Sequence, residues 1–348
     1  MGVSYCTRED VKSALDIKDS ARANRQIDRL IRSSSEAIDG DMNRVFYPTV
    51  ASRYKDWPNT QYARPWRLWL DEDEVITVTS LISGGVTLTS NQFNLEPVNQ
   101  GPPFTWIEIN LAAGKFFSAG PNTFQRSIEI AGLFGYRNDE EAAGSLAAAI
   151  STTSVTTCNV TDSAAIGVGQ IIRIDNERLI VTEKSSLTTG QTLQTPVGAS
   201  VAETLIAVTN GAAFALDEAL LLDAERMQIV DIAGNSLIVR RAVDGSVLAA
   251  HAGSTIYAPR TLTVERGALG TTAATHLNAA PVARFVPPRL IRALSVAETL
   301  NSLEQETSAY VRTVGAGETA RNASGAGLRD IRDRAIQAHA RQARTRAV

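Results

Sequence analysis

Cysteine and histidine are scarce in this chain of 348 residues, which holds two of the first, Cys6 and Cys158, and three of the second, His251, His276 and His339. Two isolated thiols build neither a disulfide framework nor a cysteine zinc site. Histidine is the side chain most used for proton transfer near neutral pH, so three of them leave little material for acid and base catalysis. Long apolar runs are missing too. No stretch reaches the roughly 20 residues of a membrane helix, and the segment Met1 to Asp10 turns charged too soon for a secretory signal. Synthesis in a cytoplasm, with no membrane partner, is the expectation. Charge of one sign is also lacking: a formal net charge of -3 gives no global attraction to nucleic acid.

Catalytic signatures are absent in the same way. There is no G-x-x-x-x-G-K-[ST], no G-x-S-x-G and no H-E-x-x-H, and Gly167 with Gly169 gives only G-x-G. The acidic run Asp71 to Glu74 lacks the spacing and central glycine of a calcium loop and reads as a solvated turn. The pairs Asp175 with Glu177 and Asp223 with Glu225, each in a D-x-E-R string, are the nearest thing to catalytic carboxylates. Alternation along a strand puts both acids of a pair on one face. There a solvated surface, or a cross-strand ion pair with Arg178 or Arg226, is the commoner use. No metal site, no cofactor and no enzymatic activity are expected.

What is present is a soluble, globular composition, 44% hydrophobic and 20% charged, in a chain long enough for two or three compact units. Thr7 followed by Glu9 and Asp10 predicts a capped helix start, with Val11, Ala14 and Leu15 on one face. Ile27, Leu30, Ile31, Ile38, Met42 and Val45 recur at helical spacing between about Ser20 and Arg44, and Tyr47 and Pro48 close that helix. Short apolar runs then predict a small β unit: Val75 to Val78, Val86 to Leu88, Trp106 to Ile109 and Ile128 to Ile130. Trp57, Trp66 and Trp69 lie where it begins, as core or as an aromatic interface.

The middle of the chain repeats itself. Cys158 to Arg178 aligns without a gap on Ile206 to Arg226, an offset of 48, which predicts two β modules in tandem. A second match, at offset 25, pairs Leu237, Val239, Arg241, Gly245 and His251 with Leu262, Val264, Arg266, Gly270 and His276. Both histidines thus occupy one repeated position, which suits a repeated turn better than catalysis. After Pro287 and Pro288, Leu290, Ile291, Leu294, Ala297, Leu300 and Leu303 form another helical stripe. Gly315, Gly317, Gly325 and Gly327 mark a flexible link before a last helix. From Arg321 onward seven arginines face two acids, Asp330 and Asp333, a local excess that suits either a solvated tail or contact with DNA or an acidic partner.

The outer parts of the chain resemble the head-to-tail connector, or adaptor, proteins of tailed bacteriophages. The resemblance is carried by TREDVKSALDI (Thr7 to Ile17), IDGDMNRVFYP (Ile38 to Pro48), IEIAGLFGY (Ile128 to Tyr136) and VPPRLIRAL (Val286 to Leu294). It covers roughly the first 136 and last 62 residues. The last two strings are held apart by about 150 residues of repeats, which reads as an insertion. Within the insertion, LTVERGALGTTAATH (Leu262 to His276) and IDNERLIVTE (Ile174 to Glu183) are similar to β segments of phage virion proteins.

The resemblance implies an α+β fold: a helical connector core formed by the N- and C-terminal helices with a small β unit, plus an inserted all-β domain of tandem repeats. The domains would be 1-149, 150-286 and 287-348. It implies a virion protein at the head-tail junction, forming a closed, dodecameric ring that joins the portal protein to a tail or stopper protein. Double-stranded DNA would pass through the ring without specific contacts. Ile27, Leu30, Ile31, Leu290 and Leu294 are then candidate subunit-interface residues. Arg321, Arg329, Arg332, Arg334, Arg341 and Arg344 are candidate contacts to portal or DNA. Two other readings stand beside it: a neck, tail or baseplate protein whose repeats bind a host glycan or protein, and a polysaccharide-cleaving enzyme resting on the repeated acids.

Overall fold

A computed structural model describes residues 2–14, 24–58, 64–121, 123–307, 313–314, 321–322 and 326–341. Leu15, Gly315, Gly317, Gly325 and Arg344 lie outside the described residues. The chain divides into two compact units, one of Met1–Ala37, Glu140–Ala268 and Thr272–Asp333, the other of Ile38–Asp139, Leu269–Thr271 and Arg334–Val348. Within the first unit the segment Glu140–Ser145 pairs antiparallel with Pro281–Phe285.

Helix α1 (Arg8–Ala14) starts on a reciprocal cap, in which Asp10 N donates to Thr7 Oγ1 and Thr7 N to Asp10 Oδ2, both at 3.0 Å. Helix α2 (Asn24–Met42) buries Ile27 and Ile31 beside Cys6 and Val11, and Val296 and Leu300 pack on that group. The last two belong to the helix after the double proline.

The second unit carries seven strands: β1 (Thr49–Lys55), β2 (Arg67–Trp69), β3 (Val75–Ser83), β4 (Val86–Leu88), β5 (Phe93–Glu96), β6 (Trp106–Ile109) and β7 (Ile128–Phe134). They form two antiparallel sheets, β1-β7-β3-β4 and β2-β6-β5, around Leu68, Leu81, Ile107, Ile128 and Ile130. A Cβ on Gly132 would lie 2.1 Å from Thr77 O, so only glycine lets β7 approach the irregular stretch of β3 this closely. Trp57 is core, 3% exposed, whereas Trp66 is 36% exposed. Trp69 and Trp106 pair across β2 and β6 with ring centroids 4.7 Å apart.

The first unit is dominated by a ten-stranded antiparallel sheet. Its strands are β8 (Glu140–Ser145), β9 (Thr157–Asn159), β10 (Ile171–Ile174), β11 (Glu177–Thr192), β12 (Leu205–Ala207), β13 (Ala219–Leu222), β14 (Glu225–Ala233), β15 (Ser236–Arg240), β16 (Thr255–Glu265) and β17 (Pro281–Phe285). They run in the order β12-β15-β14-β13-β16-β11-β10-β17-β8, with β9 against β16. Helix α3 (Arg289–Thr307), the short strands β18 (Thr313–Val314) and β19 (Arg321–Asn322), and α4 (Ala326–His339) complete the chain.

Two expectations are corrected here. The protein is mostly β, 36% strand against 22% helix, and a core of terminal helices is not evident. Among the described residues the helices do bury apolar side chains, Ile27, Ile31, Ile38, Met42, Ile291 and Leu294 included, but three apolar clusters are built mainly from strands. Nor do the repeats stand in tandem. One copy is nested inside the other, and the two offsets are halves of a single duplication.

The pairing register demonstrates this. In the outer copy Ile180 faces Glu265 and Val181 faces Val264; after a bulge, Glu183 faces Thr263, Lys184 faces Leu262 and Ser185 faces Thr261. In the inner copy Gln228 faces Arg240 and Ile229 faces Val239; after a bulge at the same point, Asp231 faces Ile238, Ile232 faces Leu237 and Ala233 faces Ser236. Every first member is displaced by 48 and every second by 25. Gly234 and Asn235 close the inner hairpin, with Gly234 at a φ of 60°. At the equivalent point the outer hairpin is opened and carries residues 186–260.

Candidate functional site: two buried arginine–glutamate–histidine clips

The D-x-E-R strings form tight turns. Asp175 and Asp223 take left-handed φ values of 51° and 50°, which a short polar side chain tolerates, and the two-residue turns make Glu177 and Glu225 the first residues of β11 and β14. Both glutamate side chains point inward and are fully buried.

Each is saturated. Glu177 Oε1 accepts from Arg266 Nε at 2.7 Å and Gly267 N at 2.8 Å, and Oε2 accepts from Arg266 Nη2 at 2.8 Å, Ala274 N at 2.9 Å and His276 Nε2 at 2.8 Å. Glu225 Oε1 accepts from Arg241 Nε at 3.0 Å and Ala242 N at 3.1 Å, and Oε2 from Arg241 Nη2 at 2.7 Å, Ala249 N at 3.0 Å and His251 Nε2 at 2.9 Å. The other ring nitrogen of each histidine meets the turn aspartate: His276 Nδ1 to Asp175 Oδ2 at 2.8 Å, His251 Nδ1 to Asp223 Oδ2 at 2.7 Å. Arg266 also donates to Val155 O and Ala274 O, Arg241 to Gly198 O and Ala249 O. Both histidine backbones are tied down as well, His276 to Ile150 and His251 to Val197.

Each cluster therefore clips the loop after an arginine strand to the hairpin that carries the glutamate. The partners are Arg266 and Arg241, distant in sequence, and not the adjacent Arg178 and Arg226 anticipated from alternation. Arg178 is buried elsewhere and Arg226 lies 3.6 Å from Asp244. The acids at 177 and 225 are likewise buried and not on a solvated face, because β11 and β14 turn that side to the core.

Burial alone would raise the two glutamates, but the arginine, the imidazole and two backbone amides outweigh it and hold each carboxyl down from an ordinary 4.5 to about 2. A carboxyl so depressed, with both oxygens occupied, has no capacity for proton transfer near neutral pH. It does contribute stability with a definite pH dependence. The folded pKa lies below the unfolded one, so the contribution is complete above about 4.5 and is lost as pH falls toward about 2, on the order of 3 kcal/mol per clip. Urea midpoints measured from about pH 5 down to pH 2 should drop steadily, and Glu177→Gln with Glu225→Gln should flatten the drop.

The remaining candidates are dispersed. Ile27, Leu30, Ile31 and Leu294 are buried inside the chain and Leu290 is half-buried, so the expected subunit-interface stripe is already used within one protomer. Arg329 and Arg334 are exposed on α4, and Arg332 Nε donates to Glu298 at 2.9 Å. Arg321 falls in β19. Arg341 Nη2 donates to Glu72 O at 2.8 Å. Asp71 and Glu72 are exposed as a solvated turn requires, but Glu74 is only 3% exposed and accepts from Arg44 Nη2 at 2.8 Å, a correction to that reading. Arg44 Nη1 also donates to His339 O at 2.6 Å, at the end of α4, and its guanidinium lies 4.7 Å from the Tyr136 ring. His339 Nδ1 meets Tyr136 Oη at 3.0 Å. The network around Glu74 is a site that sequence reasoning misses: Arg44 lies just beyond the end of α2 and Tyr136 just beyond the end of β7, far from each other in sequence.

Cys6 and Cys158 are both buried, which pushes their thiols up to about 12 and about 11. Neither should react with a thiol reagent at neutral pH on the timescale of the unfolded control, and labelling kinetics with and without urea would check this. Two clefts, of about 460 and 450 Å³, are lined without a histidine or cysteine. Among the described residues no group of three or more His, Cys, Asp or Glu is arranged to hold a metal ion, and no helix is long and apolar enough to cross a membrane. Comparison with protein-family models, with curated proteins and with solved structures gives no match.

Proposed function

We propose that this chain is a structural virion protein of a tailed bacteriophage, a connector that joins portal to tail at the neck of the capsid and surrounds the path of the DNA. The observation that carries the structural half of this reading is the saturation of both clips. Glu177 and His276, with their inner-copy equivalents, spend their hydrogen-bonding capacity on one another, on arginine, on backbone amides and on the turn aspartates, which themselves stay more than half exposed. Such a cluster serves rigidity, and a twice-clipped β scaffold suits a particle that must survive mechanical load.

The connector half rests on the sequence resemblance at the two ends of the chain. Its partners would be the portal protein, a tail or stopper protein, and further copies in a closed ring, seated at the head-tail junction. Since the apolar stripes of α2 and α3 are buried within one protomer, copies would meet through other surfaces. Light scattering of the purified chain, alone and mixed with portal, tests this. The expected result is a high-order closed oligomer, or a monomer that assembles only when portal is added; a stable dimer under both conditions contradicts it.

A further inference from the structure

The two copies of the repeated module share no core. The outer cluster is built from residues such as Leu146, Ile150, Cys158, Ile172, Leu179, Val181, Leu262 and Val264, and none of its members lies within 186–260. The inner cluster is built from Leu193, Val197, Ile206, Leu220, Met227, Ile229, Leu237 and Val239, and all of its members lie there. Position for position these are the same core twice, with Cys158 replaced by Ile206, Ile172 by Leu220 and Leu179 by Met227. The clips are equally separate, because every hydrogen-bonding partner of Glu225 comes from the inner segment and none of Glu177's does.

The buried pair of Arg260 with Glu218, at 2.6 to 2.8 Å, lies inside 186–260, and one long hydrogen bond, from Ser163 Oγ to Glu218 Oε1 at 3.5 Å, reaches it from the outer copy. An ion pair between Lys12 and Asp244, at 2.6 Å, crosses from the segment to α1, but it is partly exposed and weak in energetic terms.

We infer that residues 186–260 form an autonomous, exchangeable head, carried on the opened hairpin of a module that is complete without it. The inner copy shows how the outer hairpin closes when nothing is inserted: Ala233, Gly234, Asn235, Ser236. The hairpin between Ser185 and Thr261 is consequently a site built to accept a folded insert, and Gly234–Asn235 is the same site still unused. A surface needed for a partner can thus change on the head without altering the rest of the chain. This inference holds whether or not the connector reading does, since it concerns folding units and not assembly.

The test is to replace residues 186–260 with Gly-Asn, joining Ser185 to Thr261 by the turn of the inner copy. The shortened chain should unfold in one cooperative transition, with Cys158 as slow toward a thiol reagent as in the full chain; a molten chain, or a Cys158 that reacts at the rate of the unfolded control, overturns the proposal. Should the shortened chain not be recovered, the full chain carrying Glu225→Gln decides. Amide exchange should accelerate on the order of tenfold or more within 193–258, with 157–185 and 261–276 unchanged. Equal acceleration in both copies would refute autonomy.

Discussion

Arg266→Met should lower the stability of the first unit by about 3 to 5 kcal/mol, among the largest effects available to a single substitution in this chain. The reason is the asymmetry between making and breaking a buried ion pair. Methionine fills much of the space, yet Glu177 keeps its charge in a fully buried site and loses the bidentate guanidinium that offset its desolvation. Loop carbonyls of Val155 and Ala274 lose their donor at the same time. The double change Arg266→Met with Glu177→Met should recover part of the loss, because two apolar side chains leave no uncompensated charge. Chemical denaturation of the three variants measures this directly. The inner clip offers an internal control: Arg241→Met should cost a similar amount, but confined to the inner copy.

Arg44→Met is the second large expectation, also about 3 to 5 kcal/mol, now in the unit formed around β1 to β7. Glu74 is 3% exposed and would lose its principal partner. The end of α4 would lose the donor to His339 O, and the Tyr136 ring its stacked cation. A thermal melt should show the unit weakened, and Arg44→Lys should rescue little of it, since one ammonium cannot serve Glu74, a helix end and an aromatic face together. Equal melting temperatures for Arg44→Met and the parent chain would mean that Glu74 is compensated in some other way.

Much of the local structure is legible in the sequence. Thr7 with Asp10 caps a helix as its spacing predicts, and Val75 to Val78, Trp106 to Ile109 and Ile128 to Ile130 all lie in strands. Every residue of both clips is visible too, in the D-x-E-R strings and the L-x-V-x-R to histidine pattern. What sequence does not disclose is that the two patterns belong together. In the inner copy the halves lie a few residues apart, but in the outer copy 75 residues intervene between Ser185 and Thr261, so one duplication presents itself as two unrelated offsets. Alternation then pairs Glu177 with the neighbouring Arg178, since nothing local points to Arg266.

The helical stripes mislead for a related reason. Ile27, Leu30, Ile31 and Leu294 announce that they will be buried, but not against which chain, and here they are buried within their own. The balance of helix to strand is hidden as well: the stripes stand out in sequence, whereas the strands that dominate the fold are mostly short.

The proposed role is tested most directly by imaging the neck of assembled particles that carry this chain with a label fused at Gly234–Asn235. The account predicts a closed ring of label encircling the head-tail junction. Label at the tail tip, on the capsid faces or absent from the particle would contradict it.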